Sequence, residues 1–171
     1  MEKVVFSDVD GTLLDHRHKI TPLTQRAIRD LQEKGIPFVI VSARSPSGIY
    51  PILEEYGFTC PIIAYSGALI LDEDRNVLFH KGMEKALAHG IVRVLEGSRF
   101  DVTWSVYALD EWIVKDTSDP RIITEEQIVK AQVVQGSVDS AAADRISKIL
   151  CICDPAETVG VEALLKGIFP A

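Results

Sequence analysis

The string Phe6-Ser-Asp-Val-Asp-Gly-Thr-Leu-Leu14 constrains this chain more than any other segment. It overlaps the apolar run Val4-Val5-Phe6, which reads as a buried first strand. Side chains alternate along a strand, so Asp8 and Asp10 share a face and converge at its C-terminal end. Open α/β sheets place their ligands at that end. Gly11 allows a sharp turn with the backbone close to a ligand. Two carboxylates so placed can hold a hard divalent cation while one of them acts as a nucleophile. An isolated Asp-x-Asp is more often a solvated loop, so the strand, the turn and the spacing carry the reading together.

The first 71 residues alternate strand and helix. Thr21-Pro22 has the pattern of an N-cap followed by proline at N1, and Leu23 to Lys34 places Ala27, Ile28 and Leu31 at helical spacing before Gly35. Ile36 to Val41 is a compact apolar strand. Ser45-Pro46 opens a second helix that runs to Gly57, and Pro61 to Tyr65 is a third strand. Such alternation predicts a parallel sheet with right-handed crossovers.

After Leu71 the pattern becomes α+β. Ala68–Leu71 and Val77–His80 flank a hairpin turn at Asp72-Glu-Asp-Arg-Asn76. A helix is expected over Glu84–Glu96 with Leu87, Ile91, Val94 and Leu95 on one side, then strands at Asp101–Tyr107 and Glu111–Val114. Lys115–Glu126 reads as loop and short helix. Asp139–Lys148 is expected to be helical, Ile149–Cys153 a strand and Pro155–Leu165 a final helix. The fold class is therefore α/β: an incomplete Rossmann-like parallel core sheet over 1–71, with an α+β cap over 72–171 inserted after the third strand.

A net charge of −7 argues against a nucleic-acid binder, which needs a basic face. It leaves anionic substrates open, since a bound cation inverts the local charge. No apolar run is long enough to span a bilayer and the N-terminus shows no signal-peptide pattern, so no membrane association and a cytoplasmic location are expected. Cys60, Cys151 and Cys153 suggest no disulfide framework. The pair at 151 and 153 reads as small residues of a buried strand, since a zinc site would need two further ligands.

The second strand ends in Val39-Ile-Val-Ser-Ala-Arg-Ser45. A serine there can donate to a phosphoryl oxygen and Arg44 can clamp an anion bidentately, or the pair can be a helix cap beside a surface arginine. The third strand ends in Tyr65-Ser-Gly-Ala-Leu69, where Gly67 suits a tight turn.

Taken together, Phe6–Leu14, Ser42-Ala43-Arg44 and Ser66-Gly67-Ala68 resemble the motifs of the haloacid dehalogenase superfamily, Cof-type phosphatase subfamily. Ala43 stands where the family commonly has glycine, and Ser66 where it has asparagine. The resemblance implies Mg²⁺-dependent hydrolysis of a small phosphorylated metabolite, a sugar phosphate or phosphorylated cofactor, through an aspartyl-phosphate. Carried over by position, Asp8 is the nucleophile and Asp10 the acid–base. The Asp8 carboxylate and the Asp10 carbonyl would bind Mg²⁺. Gly11, Thr12, Ser42, Ala43, Arg44, Ser66 and Gly67 would form the phosphate and substrate side.

The family's third-motif lysine and fourth-motif acidic pair have no match. Asp154 reads as a helix start, and Lys166-Gly167 as a helix-end lysine with glycine at C′. The chain thus reads as the N-terminal part of such a phosphatase, truncated in mid-cap. Two other readings follow: a catalytically inactive remnant with a binding or interaction role, and a phosphotransferase between substrates. An incomplete sheet also predicts a homodimer or domain swap through its open edge.

Overall fold

Strands with apolar side chains on both faces belong inside a sheet; the second and third strands are of that kind, whereas the first, expected to be buried, leaves Val4 49% and Phe6 58% exposed. The computed structural model describes residues 3–129 and 131–170. Contacts divide the chain into two compact units, Met1–Lys81 and Gly82–Ala171.

In the first unit, β1 (Val5–Asp8), β2 (Phe38–Val41) and β3 (Ile62–Ala64) are parallel neighbours, connected through α1 (Pro22–Glu33) and α2 (Pro46–Tyr56). Thr21 and Ser45 cap the two helices with their side chains, each followed by proline, and Gly57 closes α2 in the left-handed conformation. Ile28, Ile49 and Leu53 are the buried anchors of the helices. The expected helices, strands and parallel sheet are all present.

The hairpin strands β4 (Leu69–Leu71) and β5 (Val77–His80) extend the same sheet, giving the order β1-β2-β3-β4-β5. Asp72 anchors the hairpin: its carboxylate accepts the backbone N–H groups of Asp74 and Asn76 and the Asn76 amide. Those bonds, the Asn76 side chain's first, hold the Asp72 carboxyl below its ordinary range. Because β4 pairs antiparallel with β3, the first unit runs to Lys81 rather than ending at 71, as the sequence reading had it.

Register sorts the side chains of this sheet. Phe38, Ile40, Ile62, Ala64, Leu69 and Leu71 are buried on one face. The opposite face carries Phe6, Val39, Val41, Ile63, Ile70 and Phe79, linked by the pairs Phe6–Val39, Val41–Ile63, Ile63–Ile70 and Ile70–Phe79. Phe6 is 58% exposed there and Phe79 46%. This second face is apolar and open, and β1 is an edge strand among the described residues.

The second unit starts with β6 (Met83–Glu84) and α3 (Lys85–Glu96), followed by β7 (Val102–Ala108), β8 (Glu111–Val114) and α4 (Pro120–Val129). The short strands β9 (Val134–Gln135) and β10 (Arg145–Ile146), then β11 (Lys148–Cys153) and α5 (Thr158–Ile168), complete it. Its main sheet has the order β11-β7-β8-β9, and β10 pairs with β6. Ala88, Val92, Leu95, Trp104, Val106 and Ile146 belong to its core.

Several expectations change here. The buried stripe of α3 is Ala88, Val92 and Leu95: the expected Leu95 is buried and Ile91 packs against the core, whereas Leu87 is 44% exposed. A shift of one residue is 100° of helix, and the sheet decides which flank is covered. The helix expected over Asp139–Lys148 is a 3₁₀ turn at Val138–Ser140 followed by β10. Ser137 and Ser140 cap that turn reciprocally, and Arg145 and Ile146 pair with Glu84 and Met83. The final helix begins at Thr158, after a turn in which Asp154 accepts the N–H of Ala156. It continues through Gly167 to Ile168, so Gly167 is not a C′ residue, and Lys166 pairs with Glu162 one turn back.

The three cysteines are free. Cys60 is buried and Cys151 half-buried, and burial pushes each thiol from 9.0 up to about 11. The fold favours the neutral thiols, so the unfolded chain ionises first as pH rises. Their contribution to stability is intact below pH 9.0 and falls away as pH approaches 11. Iodoacetamide at pH 8 is therefore expected to leave Cys60 and Cys151 largely unmodified in the folded protein. Mass spectrometry of native and urea-unfolded samples checks this; equal labelling in both would contradict it.

Candidate active site

The register between β1 and β2 sets the site. Asp8 lies opposite Val41, so the aspartate loop and the Ser42–Arg44 segment leave the sheet side by side. Ser42 donates its N–H to Ile63 (2.8 Å) and its carbonyl accepts from Ser66 N–H (2.9 Å), while Arg44 O accepts from Tyr65 N–H (3.1 Å). Three strand ends are thereby tied together at one edge of the first unit.

Alternation continues through the aspartates as expected: Asp8 and Asp10 are exposed, and Val9 between them is fully buried. The chain then closes a tight turn in which Leu13 N–H donates to Asp8 O (3.1 Å) and Leu14 N–H to Val9 O (3.0 Å). Leu13 and Leu14 plug into the core beneath it. Gly11 has φ +75°, and a Cβ placed there meets nothing within 4 Å. Glycine is needed for the left-handed backbone and not for lack of space. Thr12 sits exposed at the top of the turn.

Ser42 is buried, and its Oγ accepts the Arg44 N–H (3.1 Å), which leaves the hydroxyl proton free to be donated outward. The helix cap is Ser45, not Ser42: Ser45 Oγ accepts from Gly48 N–H (3.2 Å). Ala43 is exposed between them.

Arg44 is aimed at a protein carboxylate. Its Nε donates to Asp10 Oδ2 (2.9 Å) and its Nη2 to Asp10 Oδ1 (2.7 Å), a bidentate fork across 34 residues of sequence. Nη1 donates to Gly48 O (3.3 Å) in the first turn of α2. Sequence reasoning singled out both residues and missed their pairing, for which nothing in the local pattern gave a signal.

Tyr65, Ser66 and Gly67 follow β3 with φ of 50°, 54° and 104°. Three consecutive left-handed residues explain why asparagine, the non-glycine residue best suited to that region, is the family's usual choice at position 66. Ser66 is bound to Ser42 through its backbone, so it shapes the floor of the site.

A family description for haloacid dehalogenase-like hydrolases matches residues 5–171. The chain belongs to the haloacid dehalogenase-like hydrolases. It is of the Cof type by its motifs and relatives. A Haemophilus influenzae protein carried under the provisional name of phosphatase is 34% identical over 99% of this chain and 64% of its own length. Phosphatase YwpJ of Bacillus subtilis is 30% identical over 57% of this chain and 34% of its own length. In fold, a haloacid dehalogenase-like hydrolase from Bacteroides thetaiotaomicron superposes with TM-score 0.85 at 20% identity, covering 99% of this chain and 65% of that one. TM0651 of Thermotoga maritima gives 0.83 at 21% identity, covering 99% and 63%. The chain spans under two thirds of the length of these relatives.

Other acids of this haloacid dehalogenase-like hydrolase are locally engaged. Asp116 accepts from the N–H and hydroxyl of Ser118, and Asp119 is bound by Arg121, which holds its carboxyl below the ordinary range. Trp104 and Trp112 are buried within the second unit. Among the described residues no three acids, histidines or cysteines gather as a metal site.

Replacing Gly11 by alanine is expected to lower stability by about 1 kcal/mol, because the left-handed backbone penalises a Cβ. Gly11→Asn should cost less. Urea unfolding of the two variants checks this, and an alanine variant as stable as the parent would refute the conformational argument.

Proposed function

We propose that this chain carries the phosphoryl-transfer site of a Mg²⁺-dependent phosphomonoester hydrolase acting on a small phosphorylated metabolite, such as a sugar phosphate or a phosphorylated cofactor. The observation that supports it most is the placing of Asp8 and Asp10 at the end of β1, beside the end of β2 that holds buried Ser42, in a haloacid dehalogenase-like chain.

The donors fit Mg²⁺ in kind. Asp8 and the Asp10 carbonyl are hard oxygens, and Mg²⁺ commonly takes one or two carboxylates while keeping water and substrate phosphate in its shell. The Asp10 carboxylate is engaged by Arg44, and the family resemblance assigns the ion to the Asp10 main-chain oxygen. Held there, the ion would offset the charge of the phosphoryl group.

In this reading a carboxylate oxygen of Asp8 forms a bond to phosphorus as the bond to the leaving oxygen breaks. That oxygen takes a proton from Asp10. Asp10 then accepts a proton from water, whose oxygen attacks the acyl-phosphate; inorganic phosphate leaves and Asp8 is restored. Ser42 donates its hydroxyl to a phosphoryl oxygen. The second unit supplies substrate selection, and the cytoplasm is the location proposed. No helix among the described residues is long and apolar enough to cross a membrane.

Hydrolysis of p-nitrophenyl phosphate with and without Mg²⁺ tests the reading. Asp8→Asn is expected to remove at least about a thousandfold of the rate, as loss of a covalent nucleophile does. A folded sample with no Mg²⁺-dependent activity would favour the inactive-remnant reading. Transfer of the phosphoryl group to an added alcohol or sugar in place of water would favour the phosphotransferase.

The open edge of β1 is proposed to pair with a second copy of the chain. Val5 N–H faces β2 (2.9 Å to Pro37 O), so the amide of Phe6 faces the free edge. Val4 is 49% exposed and shares the face of Phe6. Antiparallel pairing of two such edges can set Val4 of one copy against Phe6 of the other. Light scattering over a wide concentration range is expected to show dimer, reduced by Phe6→Lys. A monodisperse monomer throughout would refute it.

A further inference from the structure

Arg44 was read from sequence as an anion clamp for substrate. The structure gives its guanidinium a different partner. Both Nε and Nη2 are spent on the two oxygens of Asp10, at 2.9 and 2.7 Å, and Nη1 on Gly48 O at 3.3 Å. Its backbone N–H is bound to Ser42 Oγ at 3.1 Å. The arginine side chain is only 22% exposed, whereas Asp10 is 51% exposed. The guanidinium is thus the anchored member and the carboxylate the presented one.

We propose that Arg44 is a positioning residue for Asp10: it fixes the acid–base carboxylate by both oxygens above the end of β1 and does not bind the substrate phosphate. The inference rests on the phosphatase reading for the role of Asp10. A planar fork suits this task because it sets the orientation of a carboxylate as well as its distance. Each Asp10 oxygen keeps a second lone pair for a proton or a water. Gly48 O restrains the fork from the other side, so the orientation of Asp10 is inherited from the start of α2. Lysine at position 44 could supply the charge but not the plane.

A double-mutant cycle on the full chain separates this role from that of a clamp, using Arg44→Gln, Arg44→Lys, Asp10→Asn and the pairs. Three quantities are read: turnover of a phenyl and of an alkyl phosphate, affinity for inorganic phosphate by calorimetry, and urea unfolding. If Arg44 acts through Asp10, Arg44→Gln slows the alkyl ester, whose leaving group needs a proton, tenfold or more beyond its effect on p-nitrophenyl phosphate, by about the measure of a general acid. That loss disappears in the Asp10→Asn background, Arg44→Lys recovers little of it, and phosphate affinity changes less than about twofold. A tenfold loss of phosphate affinity, or effects of the two substitutions that multiply, would overturn the proposal.

Absence of turnover in the unsubstituted chain would instead be a failure of the phosphatase reading. The unfolding arm then still decides on the fork. Non-additive effects of Arg44→Gln and Asp10→Asn on the unfolding constant support it, and additive ones reject it.

Discussion

The parallel register of β1 on β2 is the constraint from which the rest of the first unit follows. Setting Asp8 against Val41 fixes which residue of the next segment comes level with the aspartate turn, and Ser42 is that residue. A slip of one position would break the Phe6–Val39 pair, move Phe6 to the face of Phe38 and Ile40, and send Ser42 out of level with Asp8. The buried residues Phe38 and Ile40 hold the register, so the geometry of the polar site is set by apolar packing one layer below. The backbone bonds from Ser42 and Arg44 to the end of β3 then make the three loops one object.

Electrostatics refine that arrangement. The two aspartates at this strand end have different surroundings. Asp10 has a guanidinium fork, whereas Asp8 lies at the strand end itself. Different surroundings are what allow two like groups to take different chemical parts. The left-handed run at Tyr65–Gly67 belongs to the same design, since backbone strain of this type persists only where neighbouring contacts enforce it.

Much of this was legible in the sequence, for a local reason. Alternation across Asp8, Val9 and Asp10, the caps at Thr21 and Ser45, and the terminating Gly57 are all decided by residues within a few positions of one another. What failed was long-range. The alanines of 141–143 favour a helix, but Arg145 and Ile146 pair with Glu84 and Met83, some sixty residues away, and that ladder wins. The buried stripe of α3 moved by one residue because the sheet beneath it, not the helix, selects the covered side. The pairing of Arg44 with Asp10 was out of reach for the same reason. A long side chain has many rotamers, and its choice of partner depends on where two loops end up.

The open apolar face of the first unit bears on how the polypeptide survives in a cell. A surface carrying Phe6, Val39, Ile63 and Phe79 is the kind that holdases and proteases recognise for as long as nothing covers it. Abundance of such a chain is then governed by the rate at which that surface is covered relative to the rate at which it is captured. Two organisms carrying the same coding sequence could hold very different amounts of the protein. The difference would lie in their quality-control machinery and not in any contact made by the aspartates.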